Sequence, residues 1–337
     1  MSEWKVYYGN NFWGHERYAR PGKEITVNCE FLWDREYFKL LSLYECSKGL
    51  VVDLCKRIES STLHAFLKSW KERDPEKLSD QELEFLEAEN PTSLHFETEL
   101  TADGKHLPNQ GSCSMGWYPC DEEGACDAQA EDFLIHYKLD SNYAWIMVRT
   151  SFAWQSAKKP KLHHLEFLFS QQPVPVPGPH FILDQELPQA VCFTHPETGN
   201  THTVEIHSRI SKQVPEHTLL PLTKRFRYPR YYEELHYTLS PELREGSYFI
   251  RSFSPGDPPV SISCSESKDA SSISIIGGVD GPTSIFIAGK CPSNEKMTHS
   301  AFSSLYFAPT EVREWTITFM VRKKEEYRLT LDMEKYL

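Results

Sequence analysis

The sequence predicts an α+β protein that is predominantly β, and three observations carry that reading. Beyond residue 94, apolar and polar residues mostly alternate with a period of two, as half-buried strands require. Turn-forming Gly, Pro, Asn and Asp separate these runs at roughly 8–12 residue intervals. Helix signals are confined to the first hundred residues, at 61–71 and 79–90. The N-terminal half is therefore expected to hold an antiparallel sheet with a few helices. The C-terminal half is expected to be a β-sandwich or barrel-like sheet. At roughly 150 residues per domain, 337 residues predict two domains. The boundary falls in QQPVPVPGPHF, where four prolines in seven positions remove ladder donors and favour an extended spacer. The division is an α+β domain over 1–172, a Pro-rich linker over 173–179 and an all-β domain over 180–337.

Element by element, residues 24–33 and 36–44 are rich in aromatic and branched side chains and read as strands. In 50–58, Leu50, Leu54 and Ile58 recur every four residues, a spacing that suits a helix. A clearer helix follows, with Ser60 or Ser61 as cap and Leu63, Phe66, Leu67 and Trp70 on one stripe. Ser79 and Glu82 form a capping-box pattern that opens a second helix, and Pro91 stops it. The alternating run at 94–100 ends at a hairpin turn, Asp103-Gly104. Phe133, Ile135, Tyr137 and Leu139 are expected on one face of a strand. The run 143–154 is apolar on both faces, which predicts a central, buried strand. Past the prolines, strands are expected around 191–194, 201–210, 237–239, 247–253, 315–322 and 327–331. Residues 323–326 are read as the turn joining the last two.

Charge and cysteine content narrow the function. Lys+Arg 36 against Asp+Glu 48 leaves −12, so no footprint for nucleic acid or an anionic surface is present. No apolar run reaches the ~18 residues of a spanning helix, and no membrane insertion is expected. The opening MSEWKVYYGN lacks the basic and then apolar regions of a secretory signal. The nine cysteines, an odd number, are expected as reduced thiols in a cytoplasmic protein. Cys113, Cys120 and Cys126 are spaced more widely than the paired ligands of structural zinc sites. No metal and no cofactor is expected.

The sequence lacks G-x-S-x-G, H-E-x-x-H, G-x-G-x-x-G and an EF-hand loop. The catalytic candidates are His202, Glu205 and His207 in THTVEIHSRI. On a strand, Glu205 and His207 share a face and His202 points to the other, an arrangement that suits a Glu–His proton couple or half a metal site. The binding candidates are Trp13, His15, Arg17 and Tyr18 in NNFWGHERYARPG. Aromatic and guanidinium groups in a Gly-bounded loop suit a ligand or protein contact surface.

The segment ISIIGGVDGPTSIFIAG, residues 273–289, resembles a signature of the β subunit of sodium-pumping, biotin-dependent decarboxylases. The shared core is Gly277, Gly278, Asp280, Gly281 and Pro282. The resemblance implies a sodium-translocating role for Asp280 and a membrane setting. From the residues alone, the same segment reads as two Ile- and Ser-rich strands joined by a Gly/Pro turn. The opening WKVYYGNNFWGHERY also resembles the start of a group of soluble bacterial proteins. The leading expectation is a non-catalytic binding or interaction protein whose partner is a protein or a small molecule. The alternatives are a metal-dependent or hydrolytic enzyme using the His/Glu cluster, and a soluble accessory of a sodium-pumping decarboxylase.

Overall fold

The computed structural model describes residues 4–9, 11–12, 14, 17–71, 73, 78, 80–119, 128–156, 159–215, 226–261 and 298–336. Strands make up 51% of the structure, which places the chain in the β-dominated α+β class. Two compact units form: Met1–Asp74 with Glu87–Pro173 and Arg322–Leu337, and Pro75–Leu86 with Val174–Val321.

The first unit is built on strands β1 (Lys23–Trp33), β2 (Glu36–Glu45), β3 (Gly49–Ile58), β4 (Phe96–Ala102), β5 (Lys105–Leu107), β6 (Asn109–Trp117), β7 (Ala144–Ala153) and β8 (His164–Gln171). Its helices are α1 (Ser60–Lys71), α2 (Asp80–Glu89) and α3 (Ala128–Tyr137), and α2 is divided, its residues up to Leu86 grouping with the second unit. The second unit holds β9 (Val174–Ile182), β10 (Gln189–Thr194), β11 (Thr201–Gln213), β12 (Phe226–Arg227), β13 (Tyr231–Ser240), β14 (Tyr248–Ser252), β15 (Val260–Ser261), β16 (His299–Phe302) and β17 (Glu314–Val321). The last strand, β18 (Tyr327–Asp332), returns to the first unit.

In the first unit a five-stranded sheet, β1-β2-β3-β7-β6, faces a four-stranded sheet, β18-β8-β4-β5. Phe31, Phe38, Leu40, Leu54, Phe152, Phe167, Phe169 and Leu331 fill the layer between them. The opposite face of the larger sheet carries α3, whose Ala130, Phe133, Leu134 and Tyr137 pack on Leu41, Cys55 and Met147. β3 and β7 are thus covered on both faces, and nearly every residue in them is buried. That explains why 50–58 is a strand although its leucines suggest a helix. A central strand needs apolar residues on both sides, and any four-residue spacing can be picked out of such a run.

Other expectations are corrected by the structure. Residues 128–137 are helix α3, not a strand. Ala130, Phe133, Leu134 and Tyr137 make a helical stripe, while Ile135, taken as core in the strand reading, is 58% exposed. The expected 173–179 linker is instead β9, in antiparallel register with β17 from Val174↔Val321 to Ile182↔Glu314. β9 is the edge of its sheet, and its prolines are tolerated there because one side of an edge strand needs no donors. Residues 323–326 do not join a hairpin, since β17 and β18 belong to different sheets. The sandwich lies in the first unit, built partly from the chain's last residues.

The second unit holds a seven-stranded sheet, β10-β11-β13-β16-β14-β17-β9, curled into a nearly closed barrel, and a separate two-stranded pair, β12-β15. Its pairings are antiparallel except β14 with β16. Trp315, Ile317, Phe319, Val204, Leu235 and Tyr237 fill the interior. Phe193 of edge strand β10 meets Phe319 of β17 at 5.6 Å across that core. Arg251 of β14 holds Glu84 of α2 through two hydrogen bonds of 2.7 and 2.8 Å. The segment Gly277–Pro282, with the decarboxylase-like motif and Asp280, lies outside the described residues.

Candidate functional site

Charged residues interrupt the two most buried strands of the first unit. Asp53 on β3 stands directly opposite Arg149 on β7. Both point to the face that carries α3, and they are 0% and 3% exposed. Arg149 grips the carboxylate in a fork: Nε donates to Oδ1 at 2.8 Å and Nη2 to Oδ2 at 2.7 Å. Burial by itself would lower the Arg149 pKa, but the Asp53 charge outweighs it and raises the value. The pair is a fixed, fully compensated charge, which is the condition for keeping ions in a core.

A chain of hydroxyls leads from this pair toward the sheet edge. Tyr137 of α3 donates to Asp53 Oδ2 at 2.7 Å, and its oxygen lies 2.5 Å from the Tyr44 hydroxyl. Tyr44 reaches Glu24 at 3.0 Å, where Ser42 also donates, at 2.7 Å, and His136 Nε2 lies 3.1 Å away. Burial pushes both tyrosines up, so they remain protonated donors. Burial would also raise Glu24, but the bonds from Ser42, His136 and Tyr44 outweigh it and hold the carboxyl below its usual range.

The N-terminal segment is strapped over this platform. Trp4 donates to Tyr44 at 3.0 Å and stacks on His136 at 4.9 Å. Val6 is buried against Tyr44, Cys46 and Val51, and the Gly9 carbonyl accepts Ser151 Oγ at 2.5 Å. Phe12 lies 4.5 Å from the Arg149 guanidinium and edge-on to Phe133 at 5.9 Å. The chain then returns: Tyr7 bridges Pro21, and Gly22 N–H donates to the Val6 carbonyl at 2.8 Å. Gly22 must lack a side chain, because a Cβ there would meet Cys46 Sγ at 2.7 Å.

The described residues just before Pro21 reach into solvent. Arg17, Tyr18 and Arg20 are exposed there, and Tyr18 is the most exposed large apolar side chain described, at 84%. Its φ is +71°, a left-handed conformation that costs a non-glycine residue about 1 kcal/mol or more. The Arg17 guanidinium sits 5.1 Å from the Tyr18 ring centre. A strained backbone thus holds an aromatic–guanidinium pair out in water. Two of the expected binding residues, Arg17 and Tyr18, are brought together here, while Trp13 and His15 lie outside the described residues.

The expected catalytic residues fall on β11 and do not converge. His202 faces the barrel interior, stacks on Phe193 at 5.5 Å and donates from Nδ1 to the Pro241 carbonyl at 2.7 Å. His207 is exposed and meets Thr238 Oγ1 at 3.0 Å, and half-buried Glu205 stands in register with the same threonine. Among the described residues no three His, Cys, Asp or Glu side chains gather as a metal set. An open groove beside Pro160 and His163 is lined by Glu45 and Lys159, which pair at 2.5 Å, and by Lys161 and Glu334. No described helix is long and apolar enough to cross a membrane.

The sequence reading missed Asp53, Arg149 and Tyr137. A usable signal was present: an aspartate, the only acid, in GLVVDLCKRI and an arginine, the only charge, in AWIMVRTSFA. Two unpaired charges in strands buried on both faces imply each other. Comparison with protein-family models, curated proteins and solved structures gave no match.

Proposed function

We propose that this chain is an interaction protein of the cytoplasm that engages an acidic segment of a partner protein through residues 17–23. The observation that carries the reading is Tyr18, exposed to 84% and held in a left-handed backbone beside Arg17. Tyr and Arg supply most of the energy in protein interfaces, and fixing them before binding reduces the ordering cost. Charge supports the acidic partner. The stretch GHERYARPGK carries Arg17, Arg20 and Lys23 against Glu16 alone, a positive patch on a chain of net charge −12. Such an inversion steers an acidic partner to the loop and repels it elsewhere. Arg17, Arg20 and Lys23 are all exposed. The cytoplasmic assignment rests on Cys29, Cys46, Cys55, Cys113 and Cys192 being free thiols.

The test is binding of short peptides rich in Asp, Glu and Tyr to the immobilised full-length chain, with neutral and basic peptides as controls. Acidic peptides should bind and weaken as salt rises, because the contact is exposed. Arg17→Ala and Tyr18→Ala should each cost about 1–2 kcal/mol of binding while leaving the melting temperature unchanged. Equal binding of acidic and basic peptides, or no loss in either variant, rejects the reading.

A further inference from the structure

A second arrangement lies on the outer face of the barrel, in the other unit. Strands β11, β13 and β16 are neighbours there, and their outward residues stand in rows. Ser208, His236 and Ser300 form one row, and Ile210, Glu234 and Phe302 the next. His236 Nε2 lies 3.0 Å from Glu234 Oε1, and its Nδ1 lies 3.1 Å from Ser208 Oγ. Ser300 Oγ donates to the same Glu234 oxygen at 3.0 Å, and Lys212 pairs with Oε2. Burial would raise Glu234, but its bonds from Lys212, His236 and Ser300 prevail and keep it ionised at neutral pH.

Protonation logic then fixes the direction of the relay. An ionised carboxylate only accepts, so His236 Nε2 carries the hydrogen that Glu234 receives. In the neutral imidazole Nδ1 is bare, and it takes the hydroxyl proton of Ser208. Nucleophile, base and orienting carboxylate stand in the order used by serine acyl-transfer sites, with the two ring nitrogens exchanged. The face is open: the His236 side chain is 31% exposed, and Ile210 and Phe302 are each 41% exposed beside the relay.

We propose that Ser208, His236 and Glu234 form an esterase-type site for activated esters or thioesters of small apolar acyl groups, an activity beyond the binding role above. Ser208 Oγ attacks the acyl carbon while His236 Nδ1 takes its proton. The tetrahedral adduct collapses, the bond to the leaving group breaks, and His236 returns the proton to that group. Water, deprotonated by the same nitrogen, then attacks the acyl-serine, releasing the acid and restoring the serine. Glu234 holds the ring and balances its charge while Nδ1 is protonated. Ile210 and Phe302 supply apolar surface for the acyl chain. An open, watery face gives the developing oxyanion little help, which restricts the substrates to acyl groups with good leaving groups.

The full chain should be treated with a fluorophosphonate probe and mapped by peptide mass. The expected result is labelling at Ser208 about 10²-fold faster than at the half-buried Ser247, abolished by prior heat unfolding. Hydrolysis of p-nitrophenyl acetate should fall to the buffer rate in Ser208→Ala and by a similar factor in His236→Gln. Melting curves would show that both variants fold. If a variant does not fold, the wild-type ratio of Ser208 to Ser247 labelling decides alone. Equal labelling of the two serines, or unchanged labelling of folded His236→Gln, overturns the proposal.

Discussion

Removing either member of the Asp53–Arg149 pair would leave a full charge in a space that is 0% and 3% exposed. The expected loss is about 3–5 kcal/mol for Arg149→Ala or Asp53→Ala, read as a shift of the denaturant midpoint of the first unit. A loss below about 1 kcal/mol would show that the pair is not desolvated as described. Glu24 adds a pH dependence. Its folded pKa is depressed, so its contribution is fully present above the unfolded carboxylate value, about 4.3. The contribution is lost as pH falls through the lower folded value. Glu24→Gln should therefore be less stable than wild type at neutral pH, and the gap should close on acidification. A gap that widens in acid would give the opposite sign and exclude the assignment. Thiols follow the same environment: burial pushes Cys46 and Cys113 each up to about 11. With iodoacetamide near neutral pH, Cys192 should alkylate in the folded chain while Cys46, Cys55 and Cys113 remain intact, since Cys192 alone of these is exposed. At this scale the sequence grouped Arg17 and Tyr18, and the structure sets their side chains side by side in solvent. The sequence concealed Tyr137, because a tyrosine in an apolar stripe does not announce that its hydroxyl meets a carboxylate from another strand.

Most elements were legible from local pattern. β1 and β2 follow from aromatic and branched side chains, β4 from alternation, β7 from an apolar run on both faces, and α1 and α2 from caps and stripes. Legibility failed in β3, where leucines in a fully covered strand imitate a helical spacing, and where two periods overlap. FLIHYKL satisfies alternation through Phe133, Ile135 and Tyr137, yet Ala130 extends it backwards as a helical stripe. Proline misled for a related reason. It forbids a central strand but not an edge, and β9 is an edge that, among the described residues, pairs only with β17. Gly178 marks the close approach in that pairing, because a Cβ there would overlap the Ile317 carbonyl and the Phe319 ring. Gly178→Ala should destabilise the barrel by about 1–3 kcal/mol through overpacking. A neutral effect on its melting transition would place β9 further from β17 than the register implies.

At the scale of the whole molecule, sequence order and spatial order part company. The last strand, β18, pairs with β8 from Tyr327↔Phe169 to Asp332↔His164. It buries Leu329, Leu331 and Met333 in the first unit's core. Nothing local in residues 322–337 could have revealed this, since alternation predicts a strand but not its partner. A fragment ending at Pro173 should therefore be poorly folded, and a synthetic peptide of residues 322–337 should restore its dispersed NMR spectrum. The functional proposal also belongs to the intact chain, because the strap rests on a platform assembled from β1, β2, β3, β7 and α3. Hydrogen exchange of the full-length protein with and without a bound acidic peptide tests it most directly. New protection should appear in peptides covering residues 17–23, with the barrel strands unchanged. Protection confined to other surfaces, or none at saturating peptide, would contradict an interaction role for this loop.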